Sequence, residues 1–214
     1  MKVYSPGTPD IMMRFFSKYI WRFSMDKKEI YLTFDDGPTP EITSFVLNEL
    51  QKYKAKATFF CIGKNIENNP AIFNRILVDE HAVGNHTQNH LNGWKSDTSR
   101  YMNDFLKCDK TITRFNNKTI QQQIFRPPYG KIKKSQATAL LNKGYKIIMW
   151  DVLSADFDTS ISKEKCLQNV LKNTKNGSII VFHDSVKASE KLRFVLPKVL
   201  EEYAKKGFQF KAIH

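Results

Sequence analysis

Short runs of apolar and β-branched residues alternate along the chain with longer segments whose apolar residues recur at helical spacing. Such runs, bounded by glycine, proline and polar residues, are typical of buried strands. They predict about seven strands, at 29–34, 57–62, 81–84, 124–126, 145–152, 178–182 and 208–213. Repeated alternation of strand and helix favours a parallel sheet or barrel, with functional loops at the carboxyl ends of the strands.

The segments between the runs predict helices with recognisable ends. Thr39 and Pro40 fit an N-cap and a first helical position, and apolar residues then follow every three or four positions. A second long helix is predicted around residues 101–112 by the same spacing. Pro197 interrupts the last helical pattern, so it marks either a kink or the true start of that helix.

Residues 10–24 have a pattern of their own. As a helix, this segment would carry Arg14, Lys18 and Arg22 along one stripe and its apolar residues on the opposite side. Packing against the base of a barrel explains the pattern and is favoured. Contact with an anionic membrane surface is the alternative.

Composition narrows the classes of partner. At 214 residues the chain is long enough for one domain with a sizeable core. It has 34 basic and 21 acidic residues, a net charge of +13, which favours an anionic partner such as phospholipid headgroups, nucleic acid or a phosphorylated glycan. Because the basic residues are scattered and not gathered into a strip with aromatic residues, no nucleic-acid partner is expected.

The termini and cysteines bear on the compartment. Basic residues interrupt the apolar residues near the N-terminus, so the core of a signal peptide is not seen, and no later stretch predicts a spanning helix. Cys61, Cys108 and Cys166 are widely spaced, which argues against a disulfide framework or a thiolate metal site. We therefore expect a cytoplasmic location, with peripheral contact at a membrane as the alternative.

Two motifs place carboxylates and imidazoles close together in the sequence. Asp35 and Asp36 lie where a predicted strand meets a Gly-Pro turn, which can bring both side chains to one site, although a solvated turn has the same sequence. His86 and His90 are four residues apart. On one helical turn both imidazoles would aim at one point, and a carboxylate would complete a three-ligand metal site. Two surface histidines would give the same pattern.

Two later motifs also follow predicted strands. Arg126 begins Arg-Pro-Pro-Tyr-Gly, whose rigid backbone suits holding an arginine against a carboxylate and presenting a backbone N–H to negative charge. A proline-rich loop with a surface arginine is the alternative. His183 ends the sixth run, where it is either a general acid or a packed strand-end residue. His81 and His214 have no such partner and are expected to be structural or exposed.

The four motifs in this order, T-F-D-D-G-P, H-T-x-x-H, R-P-P-Y-G and the late Phe-His, resemble the polysaccharide deacetylase family with the NodB homology domain, also called carbohydrate esterase family four. The resemblance runs from about residue 29 to the C-terminus. It implies an α/β fold, a distorted (β/α)7 barrel forming a single domain. Residues 29–214 would be the catalytic domain, and residues 1–28 an amphipathic segment packed on the barrel or on a membrane.

The resemblance also implies a metal-dependent hydrolase. Asp36, His86 and His90 would bind a divalent metal, usually zinc in this family, with cobalt or nickel as alternatives. Such a metal polarises a carbonyl and acidifies water. Asp35 would be the general base that removes the proton of the attacking water.

Three further roles follow from the same resemblance. Arg126 would orient Asp35, and the backbone N–H of Tyr129 would donate to the developing oxyanion. His183 would act as the general acid that protonates the departing amine. The products would be a free amino sugar and acetate.

A fourth family motif is altered in this chain. Many members carry an aspartate and a tryptophan where this chain has Leu153 and Phe157, while Asp156 keeps the other acidic position. The missing aspartate normally pairs with the catalytic histidine and raises its pKa. Its loss questions the protonation of His183 unless Asp151 or Asp156 compensates.

The sequence therefore predicts an enzyme that removes N-acetyl groups from an amino-sugar glycan or a lipid-linked sugar and releases acetate. A non-catalytic carbohydrate-binding protein of the same fold is the alternative, because the fourth motif is altered. A metal-dependent nuclease is disfavoured by the scattered positive charge.

Overall fold

The computed structural model describes residues 4–116 and 123–214. In chain order, the elements of these residues are α1 (Asp10–Phe15), β1 (Glu29–Asp36), α2 (Ile42–Lys52), β2 (Thr58–Cys61), α3 (Gly63–Asn68), α4 (Pro70–Val78), β3 (Ala82–Asn85), α5 (Thr98–Phe115), β4 (Ile124–Phe125), α6 (Lys134–Asn142), β5 (Lys146–Ile147), β6 (Val152–Leu153), α7 (Lys163–Asn173), β7 (Ile179–His183), α8 (Ser189–Lys205) and β8 (Gln209–Phe210). Short 3-10 turns occur at Gly93–Lys95 and Pro128–Gly130.

The strands form a curled, parallel sheet. Seven of them follow the order β5-β4-β3-β2-β1-β7-β6, and β8 pairs with the first residues of β1. The two edges of the curl, β5 and β6, are consecutive in the chain and joined by a short connection. This architecture confirms the predicted distorted (β/α)7 barrel.

One predicted strand is wrong in its extent. The run 145–152 contains β5 and only the first residue of β6, and these two short strands lie on opposite edges of the sheet. Between them the carbonyl oxygens of Ile148 and Met149 accept hydrogen bonds from the Arg126 side chain, at 3.2 and 2.9 Å, instead of continuing a ladder. The predicted seventh strand, 208–213, survives only as β8, which lies outside the path of seven.

The central strand β1 is buried on both faces, as expected for a strand of a parallel barrel. Leu32 and Phe34 point into the main core between the sheet and helices such as α2 and α8, where Phe34 stacks against Phe59 with ring centroids 5.1 Å apart. Successive side chains alternate, so Thr33 and Asp35 point to the opposite face, the barrel interior. The alternation of β1 thus delivers Asp35 to the site described below.

The N-terminal segment is not the predicted continuous helix. α1 ends at Phe15, and from Ile20 onward the backbone bonds to residues at the ends of strands. The amide of Ile20 donates to the carbonyl of Ile147 at 2.9 Å, and the amide of Phe23 donates to the carbonyl of Gly177 at 2.9 Å. Upstream, Gly7 bridges to Val152 in β6. The segment therefore lies across the gap between the two sheet edges.

Helix α8 excludes one of the two interpretations of Pro197. It begins at Ser189 and continues through Pro197 to Lys205, so Pro197 does not mark its start. Among the helices of the described residues, none combines the length and apolar content needed to cross a bilayer. All three cysteines are buried and free.

Candidate active site

The four sequence motifs meet at the carboxyl ends of β1, β3, β4 and β7. Asp35 and His183 are direct partners in the β1–β7 ladder, so their strands lie about 4.8 Å apart and their side chains share a face. The amide of Arg126 donates to the carbonyl of Asn85, which places the third motif beside the second. Together the motifs line a cavity of about 580 Å³.

A tight turn at the end of β1 presents two consecutive carboxylates. Asp36 has a φ of 86°, a left-handed conformation that breaks the alternation of the strand and lets its side chain enter the site beside Asp35. Asp184 holds the turn, since its carboxylate accepts the amide of Gly37 at 3.0 Å. A Cβ on Gly37 would lie only 2.0 Å from that carboxylate, so the close approach requires glycine.

Asp35 is fixed by a buried arginine. Arg126 Nη1 donates to Asp35 Oδ1 at 2.8 Å and to the hydroxyl of Thr33 at 2.6 Å. The remaining guanidinium nitrogens donate to backbone carbonyls between β5 and β6. Burial lowers the pKa of Arg126, and the paired carboxylate opposes that effect. Because every guanidinium nitrogen has a partner, Arg126 holds one Asp35 oxygen in place and leaves the other for chemistry.

Asp36, His86 and His90 converge on one point, with one ligand atom from each within 4.8 Å of the others. The Nε2 atoms of His86 and His90 lie 3.8 and 3.3 Å from Asp36 Oδ1. The predicted helical turn is wrong, because both histidines lie in the loop that follows β3. Left-handed φ values of 64° at Thr87 and 56° at His90 turn the loop so that the rings still face the same point.

The donor chemistry of these three residues fits a divalent cation. The Nδ1 atom of His86 donates to the carbonyl of Arg126 at 2.7 Å, which leaves the lone pair of Nε2 facing the site. Burial lowers the pKa of His86 and of His90, so both imidazoles are neutral. Within the described residues, Asp36 Oδ1 is buried with no hydrogen-bond donor. A buried carboxylate oxygen without a donor, faced by two imidazole nitrogens, is the set that zinc prefers.

His183 is held in a different way across the cavity. Asp156 accepts both the ring Nδ1–H and the backbone amide of His183, each at 2.8 Å. Burial alone would lower the pKa of His183, but the paired Asp156 outweighs it and raises the pKa to about 9. The imidazole is therefore a cation at neutral pH, with Nε2–H available to a ligand in the cavity.

Of the two carboxylates that could compensate for Leu153, Asp156 is the one that pairs with His183. Asp151 takes no part in this pairing, since it accepts the hydroxyl of Ser178 and the amide of Ile179 at 2.9 and 2.8 Å. Leu153 is buried and lines the cavity.

Apolar side chains form much of the cavity wall opposite the carboxylates. They come from the β5–β6 connection, the fourth motif and β7, and include Trp150, Leu153, Phe157 and Val181. Tyr4 also lines the cavity, with its ring 5.8 Å from that of Phe157 and its hydroxyl bonded to Asp158. No sequence signal identified Tyr4, because it precedes the barrel and belongs to no motif.

Tyr129 lies at the rim of the cavity. Its ring stands 4.5 Å from that of His90 and is largely exposed. The backbone has a left-handed φ of 61° in the turn that follows the two prolines. No partner for its backbone N–H is found within the described residues.

Comparison with known proteins finds relatives across most of the chain. The family model described as polysaccharide deacetylase matches residues 23–148. A peptidoglycan-N-acetylglucosamine deacetylase of Bacillus cereus is 34% identical over 191 residues, which cover 89% of this chain and 88% of that protein. A chitooligosaccharide deacetylase of Azorhizobium caulinodans is 32% identical over 170 residues, covering 79% of this chain and 80% of that protein.

Solved structures show the same relationship. A peptidoglycan N-acetylglucosamine deacetylase crystallised with 4-naphthalen-1-yl-N-oxidanyl-benzamide superimposes with a TM-score of 0.87 at 31% identity, over 96% of this chain and 95% of that one. A peptidoglycan deacetylase from Bacillus subtilis gives a TM-score of 0.79 at 26% identity, over 89% and 90% of the two chains.

Proposed function

Because this chain belongs to the polysaccharide deacetylase family, a family of hydrolases that act on C–N bonds, we propose that it removes the acetyl group from an N-acetylated amino sugar within a glycan. The observation that carries the proposal is a single cavity with a three-donor cation site on one side and a cationic histidine on the other. Hydrolysis of an amide needs both an activated water and a proton for the departing amine.

Asp36, His86 and His90 would hold the divalent metal, and zinc is the metal that suits their donors best. When bound, such a cation polarises a carbonyl and lowers the pKa of water. Cobalt and nickel accept the same donors. The chain orients the ligands itself, because the His86 tautomer is set by the carbonyl of Arg126.

Asp35 is the proposed general base. It lies beside the metal donors, and its bond to Arg126 at 2.8 Å fixes the carboxylate so that the free oxygen can take a proton from water. The backbone N–H of Tyr129, which has no partner in the described part of the chain, would donate to the acetyl oxygen as negative charge develops there.

His183 is the proposed general acid. Asp156 keeps its imidazole protonated at neutral pH and fixes the ring through Nδ1, so the proton to be transferred is on Nε2. That proton passes to the sugar nitrogen as the C–N bond breaks, which lets the amine depart without forming an anion. Leu153 and Val181 supply an apolar wall suited to the acetyl methyl group.

An acetate-release screen tests the proposal. The purified chain is supplied with zinc, cobalt or nickel and given N-acetylglucosamine oligosaccharides, peptidoglycan fragments and lipid-linked N-acetyl sugars. We expect metal-dependent acetate release from a glycan substrate, and its loss in His183→Ala. The glycan classes come from the relatives, named as deacetylases of peptidoglycan and of chitooligosaccharides. Glycan binding without acetate release under every condition would instead establish the non-catalytic alternative, which the intact His183–Asp156 pair disfavours.

We further propose that the N-terminal segment contacts an anionic membrane. Four of its apolar side chains are exposed on or just after α1, namely Ile11, Met12, Phe15 and Phe16. Arg14 and Lys18 lie among them, a combination that suits anionic headgroups above an apolar layer. Flotation with anionic vesicles tests the contact, and equal recovery of the wild type and a Phe15→Ser/Phe16→Ser variant would refute it. The cytoplasmic location stays a prediction.

A further inference from the structure

Trp94 is a large aromatic side chain that the proposed chemistry does not use. It is 61% exposed, although an indole ring gains much by burial. It belongs to the 3-10 turn Gly93–Lys95, four residues beyond the metal donor His90. Single exposed apolar residues are common on protein surfaces, so exposure alone implies nothing. The loop around Trp94 supplies the further observations.

The loop holds the Trp94 backbone rigidly. The amide of Trp94 donates to Asn92 Oδ1 at 3.0 Å, and the hydroxyl of Ser96 donates to the carbonyl of Asn92 at 3.0 Å. Gln136 donates to the carbonyl of Gly93 at 2.9 Å. A Cβ on Gly93 would meet the carbonyl oxygen of Lys131 at 2.4 Å, so the loop is pressed against the segment that follows Tyr129.

The indole ring itself is also positioned. Its Nε1–H donates to the carbonyl of Ile132 at 3.2 Å, and Lys131 Nζ lies 5.2 Å from the ring centroid. Lys131 lies against one face of the indole ring. Because most of Trp94 is exposed, the opposite face of the ring is open to a ligand.

The ring lies close outside the cavity. Ile132, which accepts its N–H, is three residues from Tyr129 on the cavity rim, a separation of at most about 11 Å along the chain. Trp94 does not line the cavity. A glycan whose N-acetyl sugar occupies the cavity would therefore extend its neighbouring units past Tyr129 to the open face of Trp94.

We propose that Trp94 is the platform of an outer sugar-binding position that takes a neighbouring unit of the same glycan. The inference rests on the proposed function. Pyranose rings present C–H groups on one face, and these carry the partial positive charge that the face of an aromatic ring attracts. The hydrogen bond to Ile132 keeps the ring ordered before the sugar arrives, which lowers the entropic cost of binding.

Chain-length dependence of acetate release tests the platform. Trp94→Ala should lower kcat/KM for an N-acetylglucosamine pentamer about tenfold, the size of effect that loss of one aromatic contact supports. The dimer, too short to reach the platform, should react at the wild-type rate. Trp94→Phe should restore most of the loss, because it keeps an aromatic face. Val78→Ala is the matched control, because it removes an exposed apolar side chain elsewhere, on α4. It should leave kcat/KM unchanged for both the dimer and the pentamer.

Equal losses for dimer and pentamer, or no loss for either, would overturn the platform. A binding measurement keeps the test independent of turnover. In His183→Ala, the pentamer should change the tryptophan fluorescence more than the dimer does, because the dimer perturbs only Trp150 in the cavity wall. The Trp94→Phe substitution should remove that additional change. If the pentamer gives the same fluorescence change in His183→Ala with and without the Trp94→Phe substitution, the platform is overturned, even if the deacetylation proposed above holds. If the wild type releases no acetate but the signal still depends on Trp94, the proposed function fails and the platform stands.

Discussion

Two histidines, the buried His86 and the partly buried His183, face the same cavity and have opposite charge states. Burial lowers the pKa of His86, whereas the pKa of His183 is raised to about 9. The difference lies in the partner of Nδ1, which is a backbone carbonyl for His86 and the carboxylate of Asp156 for His183. A carbonyl fixes the tautomer of a neutral ring, while a buried carboxylate stabilises its cationic form.

The two charge states suit two different chemical roles within one site. A neutral imidazole offers a lone pair to a cation, and a protonated imidazole offers a proton to a leaving group. A substitution can remove either the metal donor His86 or the carboxylate partner of His183, and the expected losses of activity differ in size.

The largest effect is expected from His86→Ala. Removing one of three metal donors should lower acetate release on the order of 10³-fold and abolish stoichiometric metal binding, since metal assistance contributes several kcal/mol to such reactions. Metal content after dialysis and acetate release are the two measurements. His214→Ala, at the exposed C-terminus, is the control and should behave as wild type. Undiminished acetate release from His86→Ala would refute the ligand assignment.

Asp156→Asn breaks the other side of the contrast. Without the carboxylate the pKa of His183 should fall, so the acid would be deprotonated at neutral pH and kcat should drop on the order of 10²-fold. In the wild type kcat should decline as the pH rises through about 9, and the decline should begin at lower pH in the variant. Metal content should not change. If kcat of Asp156→Asn declines over the same alkaline pH range as kcat of the wild type, His183 is not the group whose protonation limits the rate.

The same pair should be visible in stability. The pKa of His183 is higher in the folded chain, about 9, than the ordinary 6.5, so its contribution is complete below pH 6.5 and is lost as the pH rises through about 9. The free energy of unfolding of the metal-free wild type should exceed that of Asp156→Asn at pH 6 by on the order of 1–3 kcal/mol. The gap should narrow by pH 10. Urea unfolding at both pH values measures it, and a gap independent of pH would contradict the assignment.

The smallest effect concerns the altered fourth motif. Leu153→Asp restores the residue that many family members are expected to carry, but Asp156 already occupies Nδ1 of His183. We therefore expect no gain in acetate release and a loss of a few fold, about the effect of placing a polar group in an apolar wall. Leu153→Met preserves volume and apolarity and should retain activity. An increased kcat in Leu153→Asp would show that Asp156 alone does not fully support His183 as the general acid.

Which residues meet at the site could largely be predicted from the sequence, although the charge state of His183 could not. Strand alternation and the four motifs identify Asp35, Asp36, His86 and His183 as neighbours, because the carboxyl ends of parallel strands meet at one edge. The same alternation favours a parallel sheet or barrel, and the resemblance to the family implies the distorted (β/α)7 barrel. The motifs cannot give the loop geometry, and His86 and His90 converge through left-handed φ angles and not through a helical turn.

What the sequence could not supply depends on contacts between distant segments. Asp156 reaches His183 across 27 positions, and Tyr4 enters the cavity from a segment with no motif. Trp94 looks like an isolated aromatic residue until its bond to Ile132 is known. The division of the chain at residue 28 stays a prediction, although residues on both sides of it line the cavity.

Metal removal and replacement tests the central claim most directly. The wild-type chain is stripped with a chelator, and acetate release from an N-acetylglucosamine oligosaccharide is measured as zinc is returned in steps. We predict no release from the stripped chain and a rise that saturates at one metal ion per chain, the capacity of the cluster of Asp36, His86 and His90. Full acetate release from the stripped chain, unchanged by added zinc, would contradict the account.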